Sequence, residues 1–306
     1  MPAPRPVYPN SVVFDTRNCT QDMYLLTPDA EMSNAVMYEA GYAAMKTGVA
    51  LVALTQMPNH MHNVLDDPNA NVPAFNEQFH KLVAKVGNVI RNRKQNFWAA
   101  HEPTNVVRLE ELEDLIRKVV YVFTNPVTAG LVERVVDWPG ANGYLALITG
   151  TPIRAWRPRK FHAWKGRKNR DVMPEYIDVY FRIPARFGDP TPIIAEIVRR
   201  VTAIEEAEIA KRKITGIPVM GRNKVMRRNP FDSPTKPKKK RDFKPAIAAK
   251  KRQTRFEAID RLKVFRREYR RARLEHLAGL PAVFPHGTYW LARHCAVAVA
   301  PAERTN

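Results

Sequence analysis

Residues 49–65 constrain the fold more than any other part of the chain. The run VALVALTQ at 49–56 is nearly continuously apolar, and Met57, Pro58 and Asn59 break it before HMHNVL at 60–65. A short apolar run bounded by turn signals fits a strand buried on both faces or a piece of buried helix. Its β-branched content and the break at Pro58 favour the strand. Residues 60–65 are then its hairpin partner, ending in the polar loop 66–71.

The flanking segments supply helices and two further strands. Residues 11–18 (SVVFDTRN) follow a Pro-Asn turn signal and are rich in strand formers. Residues 31–47 place Met32, Ala35, Val36, Tyr38 and Ala43 on one side of a helix that Gly48 can end. Phe75, Phe79, Leu82, Val83, Val86, Val89 and Ile90 predict a second helix over 73–96. A strand around 105–108 precedes a third helix, which starts at Leu109 with acidic first turns and basic later ones, as a helix dipole favours. Pro126 is expected to end or kink it near Asn125. This order predicts a mixed α+β domain over roughly the first 145 residues.

Charge divides the 306-residue chain differently. The whole carries 50 basic and 30 acidic side chains, net +20. Residues 1–150 hold 12 basic and 15 acidic ones, net −3, so the remainder holds 38 and 15, net +23. Such asymmetry suggests a polyanionic partner for the second half. With 45% hydrophobic residues there is material for a core, so wholesale disorder is excluded. The two cysteines, Cys19 and Cys295, cannot make a disulfide scaffold or a four-thiolate metal site. No apolar run approaches the roughly 20 residues of a membrane span, and the proline-rich start has no signal-peptide core. The default expectation is a soluble, cytoplasmic protein without a membrane partner.

We expect four segments: a domain over 1–150, a basic, aromatic-rich segment over 151–220, a Lys/Arg/Pro-rich linker over 221–253, and a basic helix with tail over 254–306. In 154–170 (RAWRPRKFHAWKGRKNR) aromatic and basic residues interleave. Helices are expected near 191–213 and 254–278.

Two motifs carry chemistry. In Met57-Pro58-Asn59-His60-Met61-His62, positions i and i+2 of a strand point to one side, so His60 and His62 can present two imidazoles to one metal ion. In the predicted third helix, Tyr121 and Asn125 share a face one turn apart. A tyrosine hydroxyl can attack a phosphodiester to form a phosphotyrosine, and an asparagine amide oxygen one turn away could complete a metal site. Each motif alone also fits an ordinary strand end or an ordinary helix tyrosine with a capping asparagine.

Together the motifs are more specific. PNHMH, then YVFTNPVTAGLV about sixty residues later and DWPGANGY at 137–144, resembles the IS200-like tyrosine transposases, nearest to the REP-associated branch of the HUH endonucleases. The strand with Arg17, together with Asn92 and Trp98, fits the same pattern, and the resemblance spans about residues 8–146. It implies a ferredoxin-like (RRM-like) antiparallel sheet with helices on one face, here followed by a basic, largely helical C-terminal extension. It implies Tyr121 as nucleophile and His60, His62 and Asn125 as ligands of Mg²⁺ or Mn²⁺. Many relatives carry glutamine at the last position, and Asn125 is shorter by a methylene. The implied activity nicks and rejoins single-stranded or hairpin DNA.

In the basic half, arginine and lysine would neutralise phosphates while rings stack on unpaired bases. The expected DNA-binding residues are Arg17, Arg154, Trp156, Arg157, Arg159, Lys160, Trp164, Lys238, Lys239, Lys240 and Arg241. A homodimer stays open. So do two other functions: a replication-initiator-type nickase, and a hairpin-binding protein that has lost catalysis.

Overall fold

The computed structural model describes residues 4–159, 173–235 and 245–302. The first part runs strand, helix, strand, strand, helix, strand, helix: β1 (Ser11–Asn18), α1 (Ala30–Thr47), β2 (Ala50–Gln56), β3 (His60–Asp67), α2 (Val72–Ile90), β4 (Asn105–Leu109) and α3 (Leu112–Thr128). The predicted hairpin is present, and β2 pairs antiparallel with β3. The strands assemble in the order β2-β3-β1-β4, with β1 antiparallel to both neighbours. The fold is therefore mixed α and β around one main sheet.

Local chemistry sets the helix ends. The Asp29 carboxylate accepts the Met32 N–H at 2.9 Å at the start of α1, and Gly48 closes the helix with φ +71°. Asp67 accepts the N–H groups of Asn71 and Val72 at 2.7 and 2.8 Å and so fastens the entry to α2. That helix stops at Ile90, short of the expected residue 96, where Asn92 turns to φ +51°. Helix α3 begins at Leu112 and passes through Pro126 to Thr128. The end or kink expected near Asn125 is met by a helix end one turn later, at Thr128. Pro126 falls in the last turn, where the Ala129 N–H still reaches the Asn125 carbonyl at 2.9 Å.

The helices do not share one face of the sheet. Odd-numbered side chains of β1 point toward α1 and α2, and there Asp15 accepts from the Asn63 amide of β3 at 2.7 Å. Even-numbered ones point toward α3, where Phe14 meets Tyr121 edge-on at 5.9 Å between ring centroids. The expectation of helices on one face thus holds for α1 and α2, while α3 covers the opposite face. Phe75, Phe79, Leu54, Met61, Leu65 and Phe123 are among the large side chains fully buried between these layers.

The second half packs onto this sandwich. After α4 (Tyr144–Thr149), the hairpin β5 (Ile153–Trp156) and β6 (Tyr176–Val179) lies on α1. Helix α5 (Pro190–Thr215) lies on α3. The stretch 221–253 is more than a linker. Its described residues include α6 (Arg222–Met226), where Val225 is fully buried, and β7 (Ile247–Ala248), which adds parallel to β4 as a fifth strand. Helix α7 (Arg252–Leu277) follows.

Part of the positive charge is spent inside the molecule. Arg200 makes two bonds of 2.9 Å to Glu113, and Lys250, Lys251 and Arg261 reach Glu113, Glu111 and Glu110 at 3.5, 3.4 and 3.2 Å. The bonds from Arg200 hold the Glu113 carboxyl below its usual range. These pairs gather the acidic start of α3 under basic residues of the second half.

Candidate active site

β1 and β3 are neighbours inside the sheet, and their register sets Thr16 opposite His62 and Asn18 opposite His60. His60 and His62 point to the same side, with ring centroids 4.6 Å apart. The site is walled by the stacked ring of Phe14 at 5.4 Å from His62. Tyr121 descends from α3 to 5.3 Å from His62. Two strands and one helix far apart in sequence thus bring two imidazoles and a phenol together. Tyr121 is 43% exposed, so its hydroxyl can meet a large substrate, whereas His62 is only 4% exposed.

Hydrogen bonds orient both imidazoles. His60 Nδ1 lies 2.7 Å from the amide oxygen of Asn59, which can only accept, so Nδ1 carries the proton and Nε2 the lone pair. His62 Nδ1 lies 2.9 Å from Thr16 Oγ1. With Nδ1–H donating to that hydroxyl, Nε2 is again the basic nitrogen. This is the carboxamide- or hydroxyl-supported arrangement in which histidine ligates metals. Asn125 sits one turn beyond Tyr121 on the same helix face and is partly buried, and its backbone carbonyl accepts the Ala129 N–H. Two neighbouring imidazoles are a donor pair that suits a divalent ion with positions left open for substrate oxygens. No cluster of three or more His, Cys, Asp or Glu side chains with metal-holding geometry occurs among the described residues.

Three contributors escaped the sequence. Thr16 and Asn59 support the imidazoles, and only strand register shows the first of them. Lys118 lies one turn before Tyr121, with its Nζ 4.7 Å from the centroid of Phe14 and 5.3 Å from that of Tyr121. The i, i+3 spacing could have marked this ammonium beside the phenol.

The expected DNA-binding residues scatter. Arg17 points to the face away from the imidazoles, donates to the Glu102 carbonyl at 3.2 Å and lies 6.0 Å from the Trp98 ring, with burial lowering its pKa. Arg154 and Trp156 are exposed on β5; Arg157 donates to the Met173 carbonyl at 2.8 Å, and Arg159 is exposed. Lys160, Trp164, Lys238, Lys239, Lys240 and Arg241 lie outside the described residues. Cys19 is buried and Cys295 exposed, both as free thiols. Among the described residues no helix is long and apolar enough to cross a membrane.

No family model matches the chain, and no curated protein does. Among solved structures, it is similar to a REP-associated tyrosine transposase bound to a REP hairpin, with 20% identity, 49% of this chain and 86% of that one covered, and a TM-score of 0.38. It is also similar to a putative transposase from Deinococcus radiodurans R1, with 19% identity, 38% and 91% covered, and a TM-score of 0.29.

Proposed function

We propose that the protein is a tyrosine-dependent, single-strand DNA transposase or endonuclease, acting at hairpin-forming sequences through a 5′-phosphotyrosine. The observation that carries this is the meeting of His60, His62 and Tyr121 at one partly open site, in the sequence context PNHMH and YVFTNP. The ferredoxin-like description belongs to the same proposal: it is supported by the β2-β3-β1-β4 order, to which β7 is an addition.

Tyr121 attacks phosphorus, the Tyr121 Oη–P bond forms, and the P–O3′ bond breaks to release a 3′-OH that takes up the phenol's proton. Attack by a 3′-OH reverses these changes and rejoins strands without a nucleotide cofactor. His60, His62 and Asn125 would hold Mg²⁺ or Mn²⁺, whose chemistry is to polarise the phosphate and stabilise charge in the transition state. Asn59 and Thr16 keep Nε2 of each imidazole turned to that role. Lys118 supplies positive charge beside the attacking oxygen and the phosphate it meets.

The test is a nicking assay on hairpin-flanked single strands with covalent adduct as readout. Wild type is expected to give a protein–DNA adduct, and Tyr121→Phe and His60→Ala to give none. Full cleavage by Tyr121→Phe would overturn the assignment. Binding without any adduct from wild type would favour the catalytically silent hairpin binder instead.

A further inference from the structure

The β5–β6 hairpin has two unlike faces. Ala155, Ile177 and Val179 face inward onto α1, so closely that a Cβ on Gly41 would lie 2.7 Å from Val179 and 2.9 Å from Ile177. Asn34 of α1 clamps the Trp156 backbone from both sides, donating to its carbonyl at 2.7 Å and accepting its N–H at 2.9 Å. Tyr38 donates to the Pro174 carbonyl at 2.6 Å. The chain then continues along the sheet edge, where the Arg182 N–H reaches the Leu51 carbonyl of β2 at 3.0 Å and Phe181 is buried. The hairpin is thus a fixed element.

Its outward face is unlike an ordinary solvated strand. Trp156, Tyr176 and Tyr180 are 50%, 44% and 46% exposed, and they share this face with Arg154, Asp178 and Arg182. Trp156 sits across from Tyr176 with ring centroids 5.5 Å apart. The Arg154 guanidinium lies 4.3 Å from the Tyr176 ring and that of Arg182 4.6 Å from the Tyr180 ring. Arg154 is held in place by Asp178 at 2.8 and 2.9 Å. Exposed rings of this size are disfavoured in water unless something covers them. A polyanion with flat apolar bases matches this face, since bases stack on rings and Arg182 can meet a phosphate while Arg154 stays paired with Asp178.

We propose that this outward face, carried by Trp156, Tyr176 and Tyr180 with Arg154 and Arg182, is a stacking platform for unpaired bases of single-stranded DNA. The DNA identity rests on the function proposed above; the platform itself rests on the hairpin. It lies over α1, on the side of the sheet away from Tyr121, next to the β2 edge. It would therefore hold a single-stranded flank of the substrate away from the scissile phosphate. Duplex DNA hides its base faces and would gain little from it.

The test uses the full chain as wild type, Trp156→Ala/Tyr176→Ala/Tyr180→Ala, and the same three positions changed to Phe. Binding of a fluorescent oligothymidylate of about 20 nucleotides and of a duplex of equal length is followed by anisotropy across a salt series. The alanine variant is expected to bind the single strand at least about tenfold more weakly. Its duplex affinity and salt slope should stay as in wild type, because no cation is removed. The phenylalanine variant keeps the rings and should stay within about twofold of wild type. Equal single-strand affinity for the alanine variant and wild type, or equal loss for both variants, overturns the platform. So does a changed oligomeric state with unchanged DNA affinity, which would make the face a self-contact. Adduct formation is read on the same proteins. Wild type that makes adduct while the alanine variant binds normally refutes the platform alone. Wild type that makes no adduct while the alanine variant loses single-strand binding refutes the catalytic proposal and leaves the platform standing.

Discussion

Replacing Thr16 by valine isolates the support of one candidate ligand. The side chains have nearly the same shape, so the change removes the hydroxyl that pairs with His62 Nδ1 at 2.9 Å and little else. His62 is 4% exposed, so water cannot readily take over that bond. Depriving a buried polar group of its partner costs about 1–3 kcal/mol. The lower half of that span, about 1–2 kcal/mol, applies because Thr16 itself is partly exposed and lies where the site opens. The effect on metal affinity should be larger in proportion, because loss of a ligand's supporting bond typically costs about 10–100-fold. Urea unfolding in chelator reads the first quantity. Adduct yield titrated with Mn²⁺ reads the second, expected as a midpoint shifted upward by at least about tenfold. Thr16→Ser should restore both. If Thr16→Val keeps the wild-type midpoint, the hydroxyl does not orient His62 for an ion, and the argument from tautomer to ligand fails.

Two further outcomes follow from packing and burial. An alanine at Gly143 would set its Cβ 2.4 Å from the ring of Phe181, which is only 3% exposed; we expect a loss of about 1–3 kcal/mol, read as a lowered Tm. Burial pushes the Asp15 carboxyl up to about 7 from 3.8, against the hydrogen bonds from Asn63 and Asn76. The folded state therefore holds a proton that the unfolded chain releases, and Asp15's favourable share of stability, complete below pH 3.8, is lost as pH rises to about 7. Asp15→Asn should gain on wild type across that window and no further above it, as checked by unfolding at a series of pH values; a constant difference would contradict the buried-proton assignment.

The central hairpin and three of the helices were legible because their signals are local. A short apolar run, a Pro-Asn break and an apolar stripe each lie within one short segment. The meeting of His60 with His62 was legible for the same reason, since both sit on one strand. The meeting with Tyr121 was legible only through the family resemblance, because the choice of sheet face for α3 depends on side chains of β1 and β3 acting together. Thr16 shows the limit plainly: nothing in its neighbourhood marks it, and only the register against His62 gives it a role. The basic half was legible only as a sum. A count of charges cannot separate Arg200, which is committed to Glu113, from Arg182, which stands on an exposed tyrosine. Pro126 marked the end of α3 to within one turn, since the helix stops at Thr128.

The attachment of β7 to the edge of β4 has a consequence for how the chain comes to life. During synthesis, residues 11–128 are complete long before Ile247 and Lys250 emerge. Until then the β4 edge is open to other chains, and Glu110 and Glu111 lack the Arg261 and Lys251 that later offset them, whereas Glu113 already has Arg200. An open strand edge invites intermolecular pairing. The nascent chain therefore passes through a stage in which the first sandwich has an uncovered strand edge. The residues that cover the β4 edge and the acidic approach to α3 lie more than a hundred positions further along the chain.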